Sequence, residues 1–144
     1  PDDGYDKVMD INVRAVFMLT RDLLPLLTKD ASTENPSRVI NIGSIDGLRI
    51  SSTENFAYGA SKAGLNAFGQ SMALAMAKDN IFIYTLAPGY VETDRVAPPL
   101  EGAAGEATRK PRPFGRVAQT EAVARAAPPP AAACPATSAR CGTT

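Results

Sequence analysis

Tyr58 and Lys62 stand four residues apart in Ala57-Tyr58-Gly59-Ala60-Ser61-Lys62, and Ser44 lies fourteen residues upstream in Asn41-Ile42-Gly43-Ser44. On a helix, positions i and i+4 share a face, so the spacing predicts Lys62 beside the Tyr58 ring. A free phenol, with a pKa of about 10, carries protons poorly at neutral pH. A neighbouring ammonium favours the phenolate and makes the phenol a usable general acid or base. Ser44 would then hold the substrate oxygen, so the trio suits work on a carbonyl. The Tyr-x-x-x-Lys spacing is weak by itself, because four Tyr and five Lys in 144 residues give about 0.14 such pairs by chance.

The elements around the trio carry more weight. Asp2 or Asp3 is placed to cap a helix running from about Tyr5 into the Leu23–Leu27 region. Its apolar positions, among them Val8, Ile11, Val16, Phe17, Leu19 and Leu23, are dense enough for a largely buried helix, and Pro25 is expected to bend or end it. Lys29 to Ser37 is a polar loop, Arg38 to Gly43 a short buried strand, and Leu48 to Asn55 a loop over that strand's end. A second helix is expected from about Phe56 to Lys78, with Gly59 and Gly64 leaving room for another backbone to approach closely. Ile81 to Leu86 has the near-continuous apolar pattern of a parallel strand buried on both faces, and Ala87-Pro88-Gly89 stops it.

Strand, long helical crossover and strand make a βαβ unit, which is parallel. Open α/β sheets bind ligands beyond the carboxyl ends of their strands. Ser44 follows the first strand, Pro88-Gly89-Tyr90 follows the second, and Tyr58 begins the helix between them, so all three converge on one rim. After Thr93 the pattern weakens: Arg95 to Pro113 is a Pro/Gly-rich charged loop, and Phe114-Gly115-Arg116-Val117 turns into a short helix at Thr120 to Val123. Residues 1–125 are expected to form one domain. From Ala126 to Thr144 no Ile, Leu, Val, Phe, Met or Tyr occurs, so residues 126–144 are expected to be a disordered Ala/Pro-rich tail.

Composition excludes several classes of function. Fifteen basic and fifteen acidic side chains cancel, so neither nucleic acid nor an anionic membrane is expected as a partner. No apolar run approaches the roughly 20 residues that span a bilayer, and the N-terminus is acidic rather than signal-like, so the default location is cytoplasmic. Cys134 and Cys141 both lie in the tail at a spacing that fits no zinc pattern. The absence of histidine removes His-based triads and His metal sites, and no metal is expected.

Together these segments resemble the short-chain dehydrogenase/reductase family over roughly Tyr5 to Val123. The matching residues are Asn12 in Ile11-Asn12-Val13-Arg14-Ala15-Val16-Phe17, Ser44 in Val39-Ile40-Asn41-Ile42-Gly43-Ser44, Tyr58-x-x-x-Lys62, Pro88-Gly89-x-x-x-Thr93, and the Phe114-Gly115-Arg116 turn. Around Asn35 to Gly47 the sequence looks most like 3-oxoacyl-(acyl-carrier-protein) reductases. The resemblance implies an α/β fold, the C-terminal part of a Rossmann-like doubly wound parallel sheet, here incomplete. It also implies an oxidoreductase that uses NADP or NAD to interconvert a small-molecule carbonyl and an alcohol. Tyr58 would be the acid/base, and Lys62 would lower its pKa and bind the nicotinamide ribose. Ser44 would hydrogen-bond the substrate oxygen, and Asn12 would hold a water relaying protons to Lys62. Pro88, Gly89 and Thr93 would shape the nicotinamide pocket. In the family the two helices commonly pair between subunits, which implies a homo-oligomer through residues 5–27 and 56–78. Each residue also has a plainer role open to it: Ser44 as a turn cap, Asn12 as a local hydrogen-bonding residue, Thr93 as a helix cap.

The chain departs from the pattern at the cofactor site. The family's glycine-rich turn of the Thr-Gly-x-x-x-Gly-x-Gly type, which sets backbone N–H groups against the pyrophosphate, does not occur. The usual final strand is replaced by the Ala/Pro tail. Two readings stay open: an oxidoreductase whose activity needs the remaining half, and a catalytically silent fragment or interaction module. An in-frame glycine-rich turn upstream of Pro1 would favour the first. The 144-residue chain by itself is expected to bind dinucleotide weakly or not at all. A titration with NADPH that follows reduced-cofactor fluorescence tests this, and sub-millimolar binding would overturn it.

Overall fold

The computed structural model describes residues 2–49, 55–93, 106 and 116–128. Helix α1 (Asp2–Met9) runs without a break through a π-turn (Asp10–Arg14) into α2 (Ala15–Lys29). The rod thus starts earlier and ends later than its sequence pattern predicts. Asp3 lies inside the first turn, where a carboxylate favours the positive end of the helix dipole. Pro25 does not end α2, which continues one more turn to Lys29. Thr28 Oγ1 donates to the carbonyls of Leu24 (3.0 Å) and Pro25 (3.3 Å) in that turn.

Ser37 ties the rod to the sheet: its Oγ donates to Leu27 O at 2.6 Å and its backbone N–H to Asn80 O at 3.0 Å. Strand β1 (Ser37–Ile42) pairs in parallel with β2 (Ile81–Leu86), with Asn41 opposite Thr85 and Ile42 opposite Leu86. Between them runs α3 (Phe56–Met76), continued by a 3-10 turn (Ala77–Asp79). Asn80 reverses the chain into β2 at φ 55°, a left-handed conformation that asparagine tolerates better than most residues. Beyond β2, Val91 bridges Ala118 ahead of helix α4 (Thr120–Ala126). The βαβ unit expected from the pattern is present. The Arg95–Pro113 loop (apart from Glu106), Phe114-Gly115, most of the Leu48–Asn55 loop and the tail after Pro128 lie outside the described residues.

Two burial expectations are corrected. The first helix is not largely buried: Thr20 is the one buried residue of α2, while Ile11, Leu19 and Leu26 are 59%, 61% and 69% exposed. Nor is the sheet covered on both sides. Val39, Asn41, Ile83 and Thr85 share the face under α3, whereas Ile40, Ile42 and Phe82 point the other way, where no helix among the described residues covers them, and are 38%, 52% and 42% exposed. A near-continuous apolar run marks residues that can be buried; burial itself needs a second layer.

The covered side is unusually polar. α3 turns Ser61, Lys62, Leu65, Asn66 and Gly69 inward, a stripe at helical spacing. Asn41 Nδ2 and Asn66 Nδ2 are buried there with no hydrogen-bond partner among the described residues. Gly69 lets α3 approach β2, because a Cβ built on it would run into Thr85 Oγ1. The glycines expected to serve close approach do less: Gly59 would place a Cβ 3.4 Å from Asp46 O and Gly64 one 3.8 Å from a Val13 methyl, both ordinary contacts. Gly69→Ala is therefore expected to destabilise the chain by about 1–3 kcal/mol from overpacking, although alanine favours a helix interior. Urea denaturation measures this, and a stabilised variant would show that α3 does not press on Thr85.

Candidate active site

The end of β1 and the first turns of α3 meet through backbone. Gly43 N–H donates to Leu86 O at 2.6 Å and Ile45 N–H to Pro88 O at 3.0 Å, so the two strand ends stay paired past the sheet. A 3-10 turn (Ile45–Gly47) follows, capped by Ser44, whose Oγ accepts from Asp46 N–H at 3.2 Å. Gly47 then lies against α3: a Cβ there would sit 2.5 Å from the Lys62 carbonyl carbon and 2.7 Å from Ala63 N. No larger residue could hold this turn where it is.

Ser44, Tyr58, Gly89 and Thr93 line one cleft of about 410 Å³, together with Ile45, Asp46, Tyr90 and Val91. Four of the seven sequence-predicted site residues thus share a cavity at the carboxyl ends of both strands. Ser44 is buried, with 7% of its surface exposed. Its capping role uses a lone pair and leaves its hydroxyl proton available to an acceptor in the cleft, so the cap and the substrate-binding role are compatible. Gly89 borders open space, since a Cβ there would meet nothing within 4 Å. Pro88 contributes its carbonyl to Ile45 rather than a wall to this cleft; it lines an adjoining apolar pocket of about 200 Å³ between the end of β2 and α4.

Lys62 and Asn12 open instead onto a groove of about 420 Å³ between α2 and the outer edge of β1. Lys62 is 9% exposed, its Nζ donates to Ile42 O at 2.8 Å, and the same Nζ lies 5.6 Å from the centre of the Tyr58 ring. One ammonium proton is held by the strand and two remain. Burial holds the Lys62 pKa below the ordinary lysine value. Asn12 sits in the π-turn and donates from Nδ2 to Ser61 Oγ at 3.0 Å, not to Lys62. Such π-turns recur at functional sites. Two residues of this assembly, Gly47 and Ser61, were missed from sequence. Ser61, on the Tyr58 helix three residues on, had a spacing that could have drawn attention; nothing marked Gly47 apart from other loop glycines.

The Lys62 shift has a thermodynamic sign. Because the folded chain holds this proton less tightly, the unfolded chain binds more protons between the lowered value and the ordinary lysine value of about 10.4, and stability rises with pH across that window. Below it both states are charged and the burial penalty applies in full. Lys62→Met should flatten this rise. Denaturant midpoints from about pH 8 to about pH 10.5 test it; equal slopes in both chains would refute it.

Comparison with known proteins places this geometry in context. The sequence model of a family described as Enoyl-(Acyl carrier protein) reductase matches residues 1–128. The chain is 44% identical over 89 residues to the Pseudomonas aeruginosa rhamnolipids biosynthesis 3-oxoacyl-(acyl-carrier-protein) reductase, covering 62% of this chain and 35% of that one. It is 36% identical over 125 residues to the Rickettsia conorii 3-oxoacyl-(acyl-carrier-protein) reductase FabG, covering 87% of this chain and 49% of the relative. The structure of the Pseudomonas aeruginosa RhlG/NADP active-site complex superposes with a TM-score of 0.80 at 37% identity, over 87% of this chain and 49% of that one. The chain spans about half the length or less of these relatives.

Proposed function

Since the chain belongs to the short-chain dehydrogenase/reductase family, we propose that it is the proton-handling half of an NAD(P)-dependent oxidoreductase that interconverts a carbonyl and an alcohol, with a 3-oxoacyl group as the substrate class. The observation that carries this reading is the convergence of Ser44 and Tyr58 on one cleft, with the Lys62 ammonium 5.6 Å from the Tyr58 ring. The relatives' names support the substrate class.

The residues fit the nicotinamide riboside half of the cofactor. Gly89 leaves open space beside the cleft where a flat ring can lie, and Lys62 keeps two donors for vicinal hydroxyls. When bound, the nicotinamide supplies the hydride. In reduction, as the carbonyl carbon gains hydride, the C=O π electrons move onto oxygen. That oxygen accepts a hydrogen bond from the Ser44 hydroxyl and takes the proton of the Tyr58 phenol. Lys62 stabilises the phenolate left behind and binds ribose hydroxyls, and Asn12 holds a water in the groove it shares with Lys62, through which the phenol is reprotonated. Pro88 fixes the Ser44 turn through Ile45, while Gly89 and Thr93 line the cleft with Tyr58.

The exposed apolar residues favour a second reading, that of a silent fragment or interaction module. Ile11, Leu26, Phe56 and Leu74 are 59%, 69%, 82% and 85% exposed, which supports self-association through the helices at 5–27 and 56–78. In a chain that carries the glycine-rich half upstream of Pro1, Tyr58→Phe is expected to lower turnover about 10²–10⁴-fold with dinucleotide binding nearly unchanged. Steady-state kinetics beside a cofactor titration decide this; near-native turnover of the variant would remove Tyr58 as the acid, whereas no turnover in the unsubstituted chain would leave the silent reading.

A further inference from the structure

Ser61 is fully buried, at 0% exposure, and lines neither the cleft nor the groove described above. It makes two hydrogen bonds. Its hydroxyl donates to the Tyr58 carbonyl, 2.7 Å away on its own helix, and its oxygen receives Asn12 Nδ2 from the π-turn at 3.0 Å. The two partners lie 49 residues apart in sequence. Only the Tyr58 carbonyl accepts, so the single hydroxyl proton is committed to it. Towards Asn12, Ser61 then offers lone pairs alone. The side-chain amide of asparagine has a donor end and an acceptor end, and a lone pair admits only the donor.

We propose that Ser61 is a positioning residue that sets the polarity of the Asn12 amide, holding its NH2 end inward and turning its carbonyl oxygen to the groove that Lys62 lines. An amide oxygen there accepts from an ammonium or from a water that Lys62 donates to; the NH2 end would oppose the ammonium. The π-turn and α3 are in ordinary contact here, a Val13 methyl lying 3.8 Å from where a Gly64 Cβ would be, and this brings Asn12 within reach of Ser61. The π-turn matters for the same reason, because it is the segment that presents Asn12. The functional meaning of this device rests on the proton-transfer role proposed for Lys62, but the device itself does not.

The 144-residue chain, labelled with ¹⁵N, tests it without turnover. In the native chain the Asn12 side-chain NH2 should exchange with solvent about tenfold more slowly than that of exposed Asn35. Equally fast exchange at Asn12 would overturn the proposal, whether or not any variant folds. Ser61→Ala should abolish that protection and move the Lys62 ¹⁵Nζ titration midpoint down by about half a pH unit or more, the direction that burial already drives it. Exposed Lys7, Lys29 and Lys78 serve as internal references and should not move. Ser61→Thr, which keeps the hydroxyl, should restore both signals. A folded Ser61→Ala with an unmoved Lys62 midpoint would reduce Ser61 to a packing residue and sink the inference. Failure of the Tyr58 acid role would show only in turnover, so the two ideas fail separately.

Discussion

Everything at the candidate site depends on how closely the end of β1 lies against the second turn of α3. Gly47 touches the backbone of Lys62 and Ala63, and the Lys62 ammonium crosses back to the carbonyl of Ile42. These contacts run in opposite directions between the same two segments and lock them in two dimensions. Ser44 sits between them, capped onto its own turn, so its hydroxyl and the Tyr58 ring reach one cleft without either side chain having to extend. A cation on an extended stem would be a poor reference point for chemistry. A cation whose donor is committed to a strand carbonyl is a fixed one.

The same contact explains the composition of the α3 inner face. A helix packed on a sheet ordinarily presents apolar side chains, yet here Ser61, Lys62 and Asn66 alternate with Leu65 and Gly69. Each buried polar group carries a desolvation cost, offset for Lys62 by Ile42 O and for Ser61 by Tyr58 O and Asn12. Asn41 Nδ2 and Asn66 Nδ2 have no such offset among the described residues. Stability has been traded for placement in this part of the molecule, a pattern associated with functional sites.

The sequence made the local chemistry legible and the tertiary context much less so. The i, i+4 spacing was enough to put Lys62 beside Tyr58, because helix geometry alone determines it. The strand at Ile81–Leu86 was found at both ends, from its near-continuous apolar run and the Ala87-Pro88-Gly89 stop. The extent of burial was not legible: Ile40 and Ile42 carry the pattern of a covered strand, and only the absence of a layer over them among the described residues leaves them exposed. The π-turn was invisible because Asp10 to Arg14 has ordinary helical composition. Gly47 acts through what it touches 15 positions away, which no local pattern announces; Ser61 shares the Tyr58 helix, but its bond to Asn12 spans 49 positions.

On the proposed reading, proton handling and hydride delivery would make different demands on this chain. Moving a proton from phenol to oxygen needs groups within a few ångströms, and one βαβ unit holds them: the hydroxyl after its first strand, the phenol and ammonium on its helix, the open wall after its second strand. Seating a dinucleotide needs a surface several times longer, with helix-terminal N–H groups for the pyrophosphate. The described residues supply a wall at Gly89 for the first task and no glycine-rich turn for the second. A segment of this kind can therefore preserve the geometry of an active site while leaving the reducing equivalent to be brought by structure outside it. Both Asn12 and Lys62 open onto the groove beside β1, apart from the cleft that Ser44 and Tyr58 line.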